Sequence, residues 1–187
     1  ATGGLGEMRL HLAFLVFTLL AGLAFYELAR RFTRRPLAAS LLLVATPVFL
    51  VSSHGIMTDL PALAFSLSAT AAFVRAVDGR RTCWFVTSGL LLALASLTQY
   101  RGLMLGPLLF GYAWLQGRQR VRAAAAVAPA FLTVGLWSLW NAHETGVWHL
   151  RDASSWIPFA PVRMMHDGAA YLTLLGGATL FPLFLLF

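Results

Sequence analysis

The sequence predicts an all-α, polytopic transmembrane helix bundle of about seven spans. Of its 187 residues, 59% are hydrophobic and 11% are charged, against about a quarter charged in an ordinary soluble domain. Mean hydropathy is +0.74. A single domain of this length cannot bury that apolar excess in an aqueous core, so the chain needs lipid as its solvent. The apolar residues also fall into long runs separated by short arginine groups. All 14 basic residues are arginine, against 7 acids, for a net charge of +7. Arginines dispersed in this way suit the loops of a membrane protein and not a groove for a phosphate backbone, so nucleic acid is excluded as a partner. The lone Cys83 rules out an internal disulfide and a Cys-based zinc site.

Seven apolar stretches can be marked: Leu10–Ala29, Leu37–Ser53, Leu60–Val77, Thr82–Thr98, Gly102–Gln116, Ala123–Trp140 and Ala169–Phe187. A bilayer core of about 30 Å takes about 20 helical residues, with a range near 17–25. Most of the stretches qualify. Gly102–Gln116 is short, and either thins the bilayer locally or forms half of a re-entrant hairpin. The segment Asn141–Gly168 carries Trp148, Trp156 and Phe159 and reads as an outer loop lying at the membrane interface. Residues 1–187 are thus expected to form a single, partial transmembrane domain.

Orientation follows from arginine. Arg30, Arg31, Arg34 and Arg35 follow the first stretch; Arg75, Arg80 and Arg81 mark the end of the third; Arg118, Arg120 and Arg122 follow the fifth. These alternate loops hold ten of the fourteen arginines and are expected to be cytoplasmic. A single crossing by 82–116 would split the second and third groups between the two sides. Two crossings or a re-entrant hairpin keep them together. Residue 1 then lies outside, and an odd number of spans, most simply one, is expected upstream. The outward face collects all five histidines (His11, His54, His143, His149 and His166) and five of the seven acids.

Three polar segments at that face carry the candidate chemistry. In Ser52-Ser53-His54-Gly55-Ile56-Met57-Thr58-Asp59-Leu60-Pro61, Asp59 either caps the helix starting at Leu60 or serves as an acid with His54 nearby. In Leu97-Thr98-Gln99-Tyr100-Arg101-Gly102, Arg101 sits on the side that arginines avoid. It either snorkels to lipid phosphate or grips a substrate phosphate through its planar fork. In Trp140-Asn141-Ala142-His143-Glu144-Thr145-Gly146, followed by His149, Arg151 and Asp152, the ligand spacing of a metal motif is absent, and a solvated loop accounts for the same residues. Arg75, near a helix end, is expected to snorkel.

At these motifs the chain resembles the polytopic glycosyltransferases of the dolichyl-phosphate-mannose–protein mannosyltransferase type, which include bacterial aminoarabinose transferases. His54 to Pro61 is similar to that family's Thr-Asp-x-Pro start of a membrane helix. Leu94-Ala95-Ser96-Leu97-Thr98-Gln99-Tyr100-Arg101-Gly102, with Leu105-Gly106-Pro107, resembles its Leu-Thr-Lys-x-x-Gly turn and following helix. Trp140-Asn141 with Thr145-Gly146 resembles its aromatic-Asn helix end before an outer loop. Gln99 stands where the family usually has lysine, and the family's first outer loop, with its catalytic acid, would precede Ala1.

The resemblance implies transfer of a sugar from a polyprenyl-phosphate donor to an acceptor hydroxyl at the extracytoplasmic face, with inversion at the anomeric carbon. It implies Asp59 as a supporting acid, the principal base lying upstream. Substrate contacts are then assigned to His54, Gln99, Tyr100, Arg101, His143, Glu144 and Arg151. The cofactor is undetermined, with a divalent metal as the candidate. The partners are the lipid-linked sugar, the bilayer and an acceptor whose identity the sequence does not give. The competing reading is a polytopic transporter or channel without transferase chemistry.

Overall fold

The computed structural model describes residues 3–117 and 119–148, with side chains from Met8 onward. The described residues are helical and contain no strand. The elements are α1 (Gly3–Phe32), α2 (Pro36–Ala45), α3 (Pro47–His54), α4 (Asp59–Gly79), α5 (Thr82–Thr98), a 3-10 turn (Tyr100–Met104), α6 (Leu105–Leu115) and α7 (Arg120–Thr145). Each of the first six apolar stretches is therefore helical; the seventh, 169–187, lies outside the described residues.

Among the described residues, three helices are long and apolar enough to cross a membrane: Met8–Phe32, Asp59–Gly79 and Arg120–Thr145. The bent pair α2–α3 makes a fourth if it crosses as one span. Two expectations are corrected here. The stretch 37–53 is not one helix but two, bent by 63°. Its cause is Pro47, which has no N–H to give the carbonyl of Leu43. The Thr46 hydroxyl donates to that carbonyl instead, at 2.7 Å, and accepts from the N–H of Phe49 at 3.3 Å. Thr46 thus closes one helix and caps the next. The expected loop from Asn141 also begins later. α7 runs through Thr145 and stops at Gly146, whose φ of 70° suits glycine and whose N–H bonds the Ala142 carbonyl at 3.0 Å.

The largest helix interfaces join α4 to α5, α5 to α7 and α1 to α4. Small residues make these contacts close. Ala69, Ala76, Ala113, Ala123 and Ala130 are fully buried around Phe73 and Leu92. That is the packing expected where lipid supplies no hydrophobic drive and association rests on close backbone approach. The buried Ser88 hydroxyl donates to the Ala69 carbonyl, 2.9 Å away, and ties α5 to α4. Leucines such as Leu19, Leu23, Leu90 and Leu136 point outward, which only a lipid surround tolerates in such density.

Contacts sort the helix ends into two sets. At one end, Arg31 clasps Asp78 through bonds of 2.8 and 3.4 Å. Arg75 pairs with Glu27, which also meets Arg30 at 3.4 Å. The Arg75 guanidinium lies 5.2 Å from the centre of the Trp84 ring. Arg75 is therefore held by a carboxylate and an aromatic face at this end of the bundle. Arg122 donates to the Arg80 carbonyl at 3.5 Å, which brings the start of α7 to the end of α4. The connection through α5 and α6 therefore returns the chain to the end it left, as the arginine pattern requires. Asp59, Gln99, His11 and His54 gather at the other end.

Candidate functional site

The candidate site is built from the backbone of Gln99. Its N–H closes α5 on the Ala95 carbonyl at 2.9 Å, and its own carbonyl accepts from Gly102 N–H at 2.9 Å. Between these bonds Gln99 is extended, with φ −147° and ψ 131°. The 3-10 turn lies directly on α5. A Cβ on Gly102 would stand 2.8 Å from the Ala95 carbonyl carbon and the Ser96 nitrogen. Only glycine permits that approach, and the approach fixes where Gln99, Tyr100 and Arg101 begin.

From this position the Gln99 side chain crosses to α4. Its Nε2 donates to Asp59 Oδ1 at 2.6 Å and to Thr58 Oγ1 at 3.3 Å. Asp59 is the first residue of α4, and Thr58 before it makes no side-chain cap. The capping reading of Thr58 and Asp59 is thus replaced by a contact between two helices. A carboxylate at a helix N-terminus is favoured by the macrodipole, and the amide adds a hydrogen bond to a charged acceptor. Gln99 makes this contact as a neutral donor. Gln99 therefore orients Asp59 without neutralising it.

Arg101 stands on the adjoining turn, exposed, with no hydrogen bond or ion pair among the described residues. Tyr100 beside it is partly buried. His54 ends α3. Its Nδ1 lies 2.7 Å from the Leu50 carbonyl, which can only accept, so Nδ1 carries a hydrogen and Nε2 is the ring nitrogen left for a further partner. His54, Ser53, His11 and Thr18 line a cleft of about 440 Å³ between α1 and α3. The Thr18 hydroxyl oxygen in that cleft is buried without a hydrogen-bond partner. Sequence reasoning named His54 but missed the cleft, because nothing local relates residue 18 to residue 53.

His143 and Glu144 occupy the last turn of α7, with Nδ1 and Oε1 3.7 Å apart and both side chains open to solvent. No described bond links them to Asp59, Gln99 or Arg101. Arg151 lies outside the described residues. Among the described residues, no group of three or more His, Cys, Asp or Glu side chains forms a metal-holding set.

The structure thus brings together Asp59, Thr58 and Gln99, with Arg101 two residues along the same turn. The Asp59 carboxylate, held by Gln99, can engage a hydroxyl or a cationic group, and the exposed Arg101 guanidinium can engage a phosphate. The profile of the family described as dolichyl-phosphate-mannose-protein mannosyltransferase matches residues 2–142, which contain this whole constellation. No curated protein and no solved structure matches the chain. Apolar spanning helices, a polar site at one end of the bundle and a profile covering most of the sequence agree: the chain is an integral membrane protein and belongs to the dolichyl-phosphate-mannose-protein mannosyltransferase family of membrane glycosyltransferases.

Proposed function

We propose that this protein transfers a sugar from a polyprenyl-phosphate donor to an acceptor hydroxyl, with inversion, at the extracytoplasmic face of a multi-pass membrane domain. The observation that supports this reading best is the hydrogen bond from Gln99 to Asp59, which joins that carboxylate to the turn that carries the exposed Arg101, at the arginine-poor end of the bundle. In this reading Arg101 binds the donor phosphate and stabilises its charge as it leaves. Asp59 orients the acceptor as a supporting acid, and Gln99 holds Asp59. The apolar flanks of α5 and α6 leave the lipid tail in the bilayer. His54, Tyr100, His143, Glu144 and Arg151 contribute further substrate contacts.

Transport is the weaker reading. A path for a polar solute needs polar or ionisable side chains in mid-span. The buried polar residues described are Ser40, Ser88, Ser96 and Ser138; Ser40, Ser88 and Ser96 donate to backbone carbonyls. The test is transfer by the purified full chain from polyprenyl-phosphate sugars to a pool of envelope acceptors. Product formation supports the proposal. Donor left intact, with solute flux in proteoliposomes, would replace it with transport.

A further inference from the structure

The arginine-rich end divides unevenly. On the α1–α4 side, Arg31 and Arg75 are matched by Asp78 and Glu27. On the α5–α7 side, Arg80, Arg81, Arg120 and Arg122 have no carboxylate partner among the described residues. A furrow of about 200 Å³ runs between α5 and α7 on this side. Its walls are Phe85, Val86 and Leu90 on one helix and Ala125, Ala126 and Pro129 on the other, and Arg122 stands at its head. The Arg122 Nη1 holds a carbonyl and the Gln119 amide oxygen, both neutral, so its charge is uncompensated. Val86 and Leu90 are well exposed along the furrow.

We infer that this furrow is a binding site for an anionic phospholipid. One acyl chain lies between α5 and α7, and the headgroup phosphate meets Arg122. The occupant must be apolar over the depth of the furrow and negative at its head. A phospholipid with a net negative headgroup has that chemistry, and basic pockets between membrane helices bind such headgroups. The apolar segment 169–187 of the same chain carries no charged residue, so it supplies no anion for Arg122. The site is at the opposite end of the bundle from Asp59 and Gln99, and it does not depend on the proposed reaction.

Native mass spectrometry of the full chain, with phosphatidylglycerol and phosphatidylcholine of identical acyl chains, tests the inference. The wild type should retain phosphatidylglycerol at least about fivefold over phosphatidylcholine, the factor expected for one arginine near an anionic surface. Arg122→Gln should abolish that preference and Arg122→Lys should keep it. Ala125→Phe, which fills the furrow from an exposed position, should lower retention of both lipids while helical content stays unchanged. Equal retention of the two headgroups by the wild type, an unchanged preference in Arg122→Gln, or unaffected retention in Ala125→Phe would each overturn it. So would displacement of phosphatidylglycerol by equimolar polyprenyl phosphate, which would give the furrow to the donor lipid.

Discussion

Gln99 makes this chain's site different in charge from one with lysine at that position. A lysine would form an ion pair with Asp59, whereas the amide holds the carboxylate and leaves its charge free. Gln99→Leu should cost at most about 1 kcal/mol of stability, because Asp59 is exposed and water takes the vacated acceptor. Transfer should fall at least about tenfold in Gln99→Leu, and Gln99→Lys should restore the positioning; a melting curve and a transfer assay on the same preparations separate the two effects. Arg101 is expected to act through its fork on the donor phosphate. Arg101→Ala should lose at least roughly tenfold in transfer, the equivalent of about 1.4 kcal/mol, and should do so by raising the donor concentration for half-maximal rate. Arg101→Lys keeps the charge without the second parallel bond and should fall between. The sequence made Asp59, Gln99 and Arg101 visible as residues, through their place on the arginine-poor face. The bond between residues 59 and 99 was not legible, because forty positions separate them and no local pattern sets that pairing.

Helix lengths and ends were largely legible, since apolar runs and arginine groups mark them directly. The bend at Thr46–Pro47 was missed although its signal is local: a threonine able to cap, followed by a proline at the first helical position. Reading hydropathy alone smooths over it. The ion pairs Arg31–Asp78 and Glu27–Arg75 were missed for the opposite reason, being long-range. Their groups are a third to a half exposed, so a double-mutant cycle at Arg31 and Asp78 should give a coupling of at most about 1 kcal/mol. Glycine carries more of the element geometry. Gly102→Ala drives a methyl group into the backbone of α5, which cannot give way, and should cost about 1–3 kcal/mol. Gly111→Ala in α6 meets nothing within 4 Å and should be neutral or stabilising by up to about 1 kcal/mol. Thermal unfolding of both variants in one detergent checks the contrast. Because Gly102 seats Arg101, Gly102→Ala should also reduce transfer, and Gly111→Ala should not.

At the scale of the molecule, the proposed orientation has the arginine-rich end in the cytoplasm and the Asp59–Gln99 end outside. Cys83 is exposed at the start of α5, next to Arg80 and Arg81. Cys83 should resist an impermeant reagent added from outside. Ser53→Cys or Thr98→Cys, placed at the other end, should react with it; labelling of Cys83 alone would invert the orientation. The central claim is that the carboxylate of Asp59 works in sugar transfer and is not merely part of a helix start. Asp59→Asn isolates that claim, because the asparagine oxygen still accepts from Gln99 and losing the charge in the first turn costs the helix at most about 1 kcal/mol. The decisive measurement is transfer from a polyprenyl-phosphate sugar by wild type and Asp59→Asn, purified in equal yield with equal helical content. The account predicts that the variant loses transfer by at least about a hundredfold, the scale of a positioned acid or base. Transfer by Asp59→Asn at the wild-type rate would contradict it.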